Sequence, residues 1–463
     1  MAANSARPPP RQNGFPTLMS GREMSTLHIL WDESHVWGLL AWRAVESMGL
    51  PYRLVRAQEI ADGLLSRNPP ALLLVPGGTA RLKADALAES GMQAVRDYVA
   101  GGGRYLGFCG GAGLGLTGEH GLGLCPWSRA SFTDRMQHFV SGHVHATISA
   151  GHPLTPDSLP PEPALPVWWP GRFAPEDGHD VEILARYTEP GSDFWVADLP
   201  LDTLPPGTFA EWEDLYGIRL RPTFLAGQPC ILHGRYGAGS YTLSYTHLET
   251  PESPQANLWL AHLVERLTES PSASGCPAPP GNTAPPSGGL RAANPLVPAW
   301  ELDALPARWH DDGLLRARAL FDDIVTIGIN HCLFFRRNSW LIGWRAGIPG
   351  ANLNNLHAAV CTAVSTPPTP AAEDYWHARK ADFLNRLALF HKGVTGYLLA
   401  ERLAMTLSKT FPETVSRQSL KEQRAALFGP PMASGGLYAE LLDVLDRLVF
   451  LQLATPQDMS QQP

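Results

Sequence analysis

The run Arg104-Tyr105-Leu106-Gly107-Phe108-Cys109-Gly110-Gly111-Ala112-Gly113 constrains the fold more than any other part of the chain, because a short apolar β-type stretch stops at a cysteine set among glycines. A side chain at a sharp strand-to-helix turn needs small neighbours, since bulk at Gly107, Gly110 or Gly111 would collide with the tight backbone. Such a turn lifts its residue above the sheet edge. The N–H groups of the following helix place partial positive charge beside the sulfur, the electrostatic setting of a nucleophilic thiol. Cys109 is therefore the first candidate for chemistry.

Upstream of this elbow, strand and helix patterns alternate. Leu27 to Trp31 reads as a buried strand and Val36 to Met48 as a helix; a strand follows near Tyr52 to Val55, another at Ala71 to Val75, and a helix near Asp85 to Val99. That alternation predicts a flavodoxin-like α/β fold, a parallel sheet with helices on both faces. Ligands on such folds bind at the carboxyl ends of the strands. Three loops fall at that edge: Asp32-Glu33-Ser34-His35, Pro76-Gly77-Gly78-Thr79 and the elbow itself. A Pro-rich and Trp-rich section from about Pro126 to Gln228 has weak periodicity, and a hairpin of Cys230 to Arg235 with Ser240 to Tyr245 closes the unit ahead of His247 and Glu249.

With 463 residues the chain exceeds one ordinary domain. Its composition sets out 1–24 as a disordered N-terminus, 25–268 as the α/β unit, 269–297 as a Pro/Gly/Ser-rich linker, 298–456 as an all-α domain and 457–463 as a disordered tail. Helices are expected over Leu314 to Phe335, Leu353 to Val364, Ala371 to Leu389, Val394 to Leu407 and Leu437 to Leu451. Met1, Met19 and Met24 are all possible starts of translation. The net charge of -8 supplies no basic field for nucleic acid or anionic lipid, and no apolar run reaches membrane-spanning length. Six scattered cysteines without a CxxC pair fit reduced thiols in a cytoplasmic protein. The expected ligand is a small molecule, and a protein partner through the helical domain is the further option.

A thiol becomes a useful nucleophile when a base takes its proton and a third group orients that base. His247 and Glu249, two residues apart after the closing strand, fit these roles. Backbone N–H groups of Gly110, Gly77 and Gly78 are placed for a developing oxyanion, with Asp32, Ser34 and Trp169 as further pocket residues. The histidines His143, His145 and His152 come without a compact set of acidic or thiol ligands, so no metal is expected, and no sequence pattern calls for a cofactor.

These residues occur in an order that resembles the N-terminal domain of eukaryotic-type biotin-protein ligases, a branch of the class I glutamine amidotransferase-like superfamily. The resemblance runs from about Leu27 to Leu267 through Asp32-Glu33-Ser34, Val75-Pro76-Gly77-Gly78, Tyr98 to Gly102, Gly107 to Ala112, Val167 to Gly171 and Ser244 to Glu249. It implies Cys109 as nucleophile, His247 as base and Glu249 as the orienting carboxylate. Gly110 stands where that family often has alanine, Gly113 where it has a tyrosine-like position, and Thr246 and Leu248 replace prolines around the histidine. No biotinyl-adenylate loop follows the linker, so biotin ligation is not expected. The reading that results is a thiol-dependent amidase or amidotransferase-like hydrolase acting on a small carboxamide; the alternative is a noncatalytic binding or regulatory module coupled to the helical domain.

Overall fold

The computed structural model describes residues 26–131, 139–178, 180–217, 221–269, 289–411, 413, 417–430 and 435–454. Residues 1–24, 457–463 and most of the 269–297 linker lie outside them. Five strands run parallel, in the spatial order Tyr52–Val55, Leu27–Leu30, Leu72–Val75, Arg104–Phe108 and Gly239–Ser244. Leu27–Leu30 and Leu72–Val75 are buried at every position, as strands covered on both faces must be. Helices Val36–Ser47 and Ala80–Ala100 make the crossovers, so the expected parallel core is present.

Beyond Gly239–Ser244 the sheet turns antiparallel. The hairpin strand Pro229–Tyr236 pairs with Val181–Pro190, which pairs with Val140–Ile148, and Ala164–Trp168 and Trp195–Val196 both pair with that last strand. The Pro-rich section, read from sequence as weakly periodic, thus supplies a sheet extension. Bulges near Pro229 and Val144 interrupt its alternation and hide the strand period.

Residues after the linker are largely helical: Asp312–Asn330, Gly350–Ser365, Pro370–Leu407, Arg417–Phe428 and Gly436–Leu453. Two departures from the sequence reading matter. The expected helix through Phe335 stops at Asn330, where Cys332 takes φ 54° and Leu333 N–H bonds back to the Gly328 carbonyl at 2.9 Å. The chain then forms a two-stranded hairpin, Phe334–Arg336 with Ile342–Trp344, in a region expected to be all α. Conversely, the helices expected over Ala371 to Leu389 and Val394 to Leu407 are one. Phe390, Val394 and Tyr397 keep the buried stripe continuous across the supposed gap, with Phe390 and Tyr397 packed against Phe428.

Sheet unit and helices share one contiguous apolar core. The ring of Trp31, just past the first strand, lies 6.2 Å from that of Phe450 on the last helix, and the Arg56 guanidinium lies over Phe450 at 5.4 Å. Among the described residues no helix is long and apolar enough to cross a membrane.

Candidate active site

Cys109 ends the strand Arg104–Phe108 with φ 47° and ψ −103°, and its N–H donates to the Ser244 carbonyl at 2.7 Å. Positive φ is uncommon for a non-glycine residue, and here it holds the thiol at the head of a five-residue helix, Gly110–Leu114. The glycine after it is obligatory in this chain. A Cβ on Gly110 would lie 2.1 Å from the Gly78 carbonyl oxygen, so the elbow and the Gly77-Gly78 turn touch backbone to backbone. The Gly78 backbone, at φ +118°, is in turn pressed against the Glu33 carbonyl. The three loops at the strand ends therefore meet as one surface.

His247 and Glu249 reach this surface from beyond the strand Gly239–Ser244. Sequence spacing suggests that strand alternation aligns them, but the strand has ended. A turn held by Ser244 Oγ with Thr246, and by the His247 N–H donating to the Pro166 carbonyl at 2.8 Å, brings them together instead. His247 Nδ1 and Glu249 Oε1 are 2.7 Å apart, and both side chains are fully buried. That contact leaves Nε2 as the free nitrogen, and it makes no hydrogen bond among the described residues. Burial pushes the imidazole towards its neutral form, yet the Glu249 carboxylate and the neighbouring Cys109 outweigh it and raise the pKa to about 10. The half-buried thiol and the imidazole are thus direct electrostatic neighbours.

Asp32 and Ser34 have their side chains bonded to neighbouring protein groups. The Asp32 carboxylate accepts the Ala57 N–H at 2.6 Å and pairs with Arg56 at 2.8 Å; Ser34 Oγ donates to the Leu30 carbonyl at 3.0 Å. Trp169 has φ 54° and sets its ring edge-on to Trp37 at 5.8 Å. Trp37, on the helix Val36–Ser47, lies 4.6 Å from the His247 ring, and a Cβ on Gly77 would come within 2.9 Å of both side chains.

Sequence reasoning missed Trp37 and Lys83. Lys83 is fully buried, and its Nζ donates to Ser34 Oγ at 2.5 Å and to the Asp32 carbonyl at 3.1 Å. Burial depresses its pKa to about 7 against the opposing pull of Glu33, Asp32, Asp446 and Cys109. The available signal is its place one turn before Leu87 on the apolar face of its helix. The histidines of the central section have protein partners: His143 bonds Asp193 and Ser253, His145 the Glu162 carbonyl, and His152 Glu182. Asp303, Asp322 and His357 converge closely enough to offer three ligand atoms; Arg336 pairs with Asp303 at 2.7 Å, and His357 Nε2 lies 3.2 Å from Asp322.

Residues 58–117 match the family described as biotin-protein ligase, N terminal. The matched segment holds the strand Leu72–Val75, the helix Ala80–Ala100 and the elbow with Cys109. No curated protein matches the chain. Among solved structures, a glutamine amidotransferase is 17% identical with a TM-score of 0.32, covering 51% of this chain and 97% of its own. A glutamine amidotransferase from Thermotoga maritima is 10% identical at TM-score 0.35, over 53% of this chain and 99% of its own. A putative GMP synthase protein from Thermoplasma acidophilum is 14% identical at 0.34, over 53% and 94%. The sheet unit has a parallel core, and a largely helical region follows it.

Proposed function

We propose that the protein is a thiol-dependent amidase acting on a small carboxamide, with Cys109 as nucleophile, His247 as proton carrier and Glu249 as the group that orients His247. The observation carrying this reading is the buried His247–Glu249 pair, whose free nitrogen stands beside a thiol on a strained elbow.

The Cys109 proton passes to His247 as sulfur attacks the carboxamide carbon and forms a C–S bond, while the carbonyl oxygen takes the negative charge. Backbone N–H groups of Gly110 and the Gly77-Gly78 turn are the donors available to it, and loss of one such donor commonly raises a barrier by about 3 kcal/mol. That proton passes from His247 to the nitrogen as the C–N bond breaks, releasing ammonia and leaving a thioester. Neutral His247 then takes a proton from water, whose oxygen displaces the sulfur and gives the carboxylic acid. Glu249 keeps the imidazole in one orientation throughout.

Ammonia release from a panel of small carboxamides tests this. Turnover by the wild type and none by Cys109→Ser support it. Complete burial of His247 beneath Trp37 favours a second reading, ligand binding without turnover. A ligand recovered intact after long incubation with the wild type selects that alternative.

A further inference from the structure

The approach to His247 is built from both parts of the chain. Trp37 stands over the imidazole, Trp169 stands edge-on to Trp37, and Trp344 from the C-terminal hairpin lies against Trp169 with ring centroids 5.3 Å apart at 39°. All three are partly exposed, as Cys109 is. Behind them Trp340, also from the hairpin, is buried edge-on to Trp37 at 6.2 Å and to Trp168 at 5.1 Å. Arg337 fixes the hairpin to the sheet: it bonds the Asp193 carbonyl at 2.5 Å and covers the rings of Trp168 and Trp195. Trp169 holds its place at φ 54°, a conformation that bulky side chains avoid unless the surroundings impose it.

From this juxtaposition we propose that Trp344 and Trp169 form a substrate subsite beside the thiol, so that the C-terminal hairpin sets the specificity of the proposed amidase for carboxamides bearing a flat, uncharged aromatic group. The ligand class follows from the wall. Gly350 packs against the Trp344 ring on one side, and partly exposed indole rings recognise planar apolar groups, cations being the other ligands they take. A cationic group is disfavoured here, because the Arg337 guanidinium already covers the neighbouring Trp168. The inference rests on the thiol reading above, and its test separates the two.

Cys109 is alkylated in the full-length protein with iodoacetamide and with N-phenyl iodoacetamide. In each case a C–S bond forms and iodide leaves with the electron pair of the C–I bond. The ratio of the two rates, normalised to the same ratio for glutathione, reads the subsite alone. Wild type should favour the phenyl reagent by about fivefold, the size of one good aromatic contact. Trp344→Ala and Trp344→Leu should bring the ratio back to that of glutathione, and Trp344→Phe should keep most of it. A wild-type ratio equal to that of glutathione, or one that survives in Trp344→Leu, overturns the subsite. The thiol reading fails on a different result: a Cys109 alkylation rate that is the same in the wild type and in His247→Ala, whatever the ratio.

Discussion

The indole Nε1 of Trp31 donates to Asp446 Oδ2 at 2.9 Å, joining the end of the first strand to the last helix across 415 positions of sequence. Asp446 also faces His35 at 3.7 Å and Arg56 at 3.8 Å. The loop it holds presses the Glu33 carbonyl against Gly78, and Gly78 abuts Gly110 next to the thiol. The C-terminal helix therefore supports the elbow through two loops.

Removing that support should be felt at both ends. Asp446→Ala strands the Trp31 N–H and leaves His35 and Arg56 short of a counter-charge; stability should fall by about 2 kcal/mol in urea unfolding. Cys109 alkylation should slow in the folded variant. An unchanged unfolding midpoint would show that the contact is dispensable.

The same contact has a pH signature. Burial lowers the His35 pKa, but Asp446 and Glu33 outweigh it and raise it to about 9. A raised pKa contributes stability that is fully present below the unfolded value of 6.5 and is lost as pH rises through about 9. The stability gap between wild type and Asp446→Asn should therefore be widest near about pH 6 and narrow by about pH 9.5. A gap independent of pH contradicts this.

Lys83 has the opposite sign. Its pKa is depressed from 10.5 to about 7, so burial opposes folding fully below about pH 7, and that cost is relieved as pH rises towards 10.5. Lys83→Met removes the charge and also the bonds to Ser34 and the Asp32 carbonyl. Its stability relative to wild type should be best near about pH 6 and worsen steadily towards about pH 10, as followed by thermal unfolding across pH. A constant difference would mean that Lys83 is not held in a desolvated site.

Gly110→Ala tests the contact between the loops. The added Cβ would sit 2.1 Å from the Gly78 oxygen, so backbone must move, and overpacking of this kind costs about 1–3 kcal/mol. Full stability with unchanged Cys109 reactivity would show that the two turns have slack.

How much of this was legible in the sequence depended on range. The elbow announces itself because strand, cysteine and glycines are adjacent, and His247 and Glu249 are separated by one residue. The parallel order follows from alternating β and α periods. What lies beyond local reach was not legible: Lys83 reads as one more helix lysine until the Asp32-Ser34 loop closes over it, and Trp344 has no visible relation to Trp169. Periodicity extended the helix beyond Asn330 because Leu333, Phe334 and Phe335 are apolar, whereas hairpin pairing with Ile342–Trp344 claims Phe334 and Phe335.

The central claim, that Cys109 and His247 act as a nucleophile and its proton carrier, is tested most directly by the iodoacetamide alkylation rate of Cys109 at neutral pH in wild type and in His247→Ala. The predicted result is a fall of at least about tenfold in the variant, since positioned proton transfer usually contributes more than that. Equal rates in two folded proteins would contradict it.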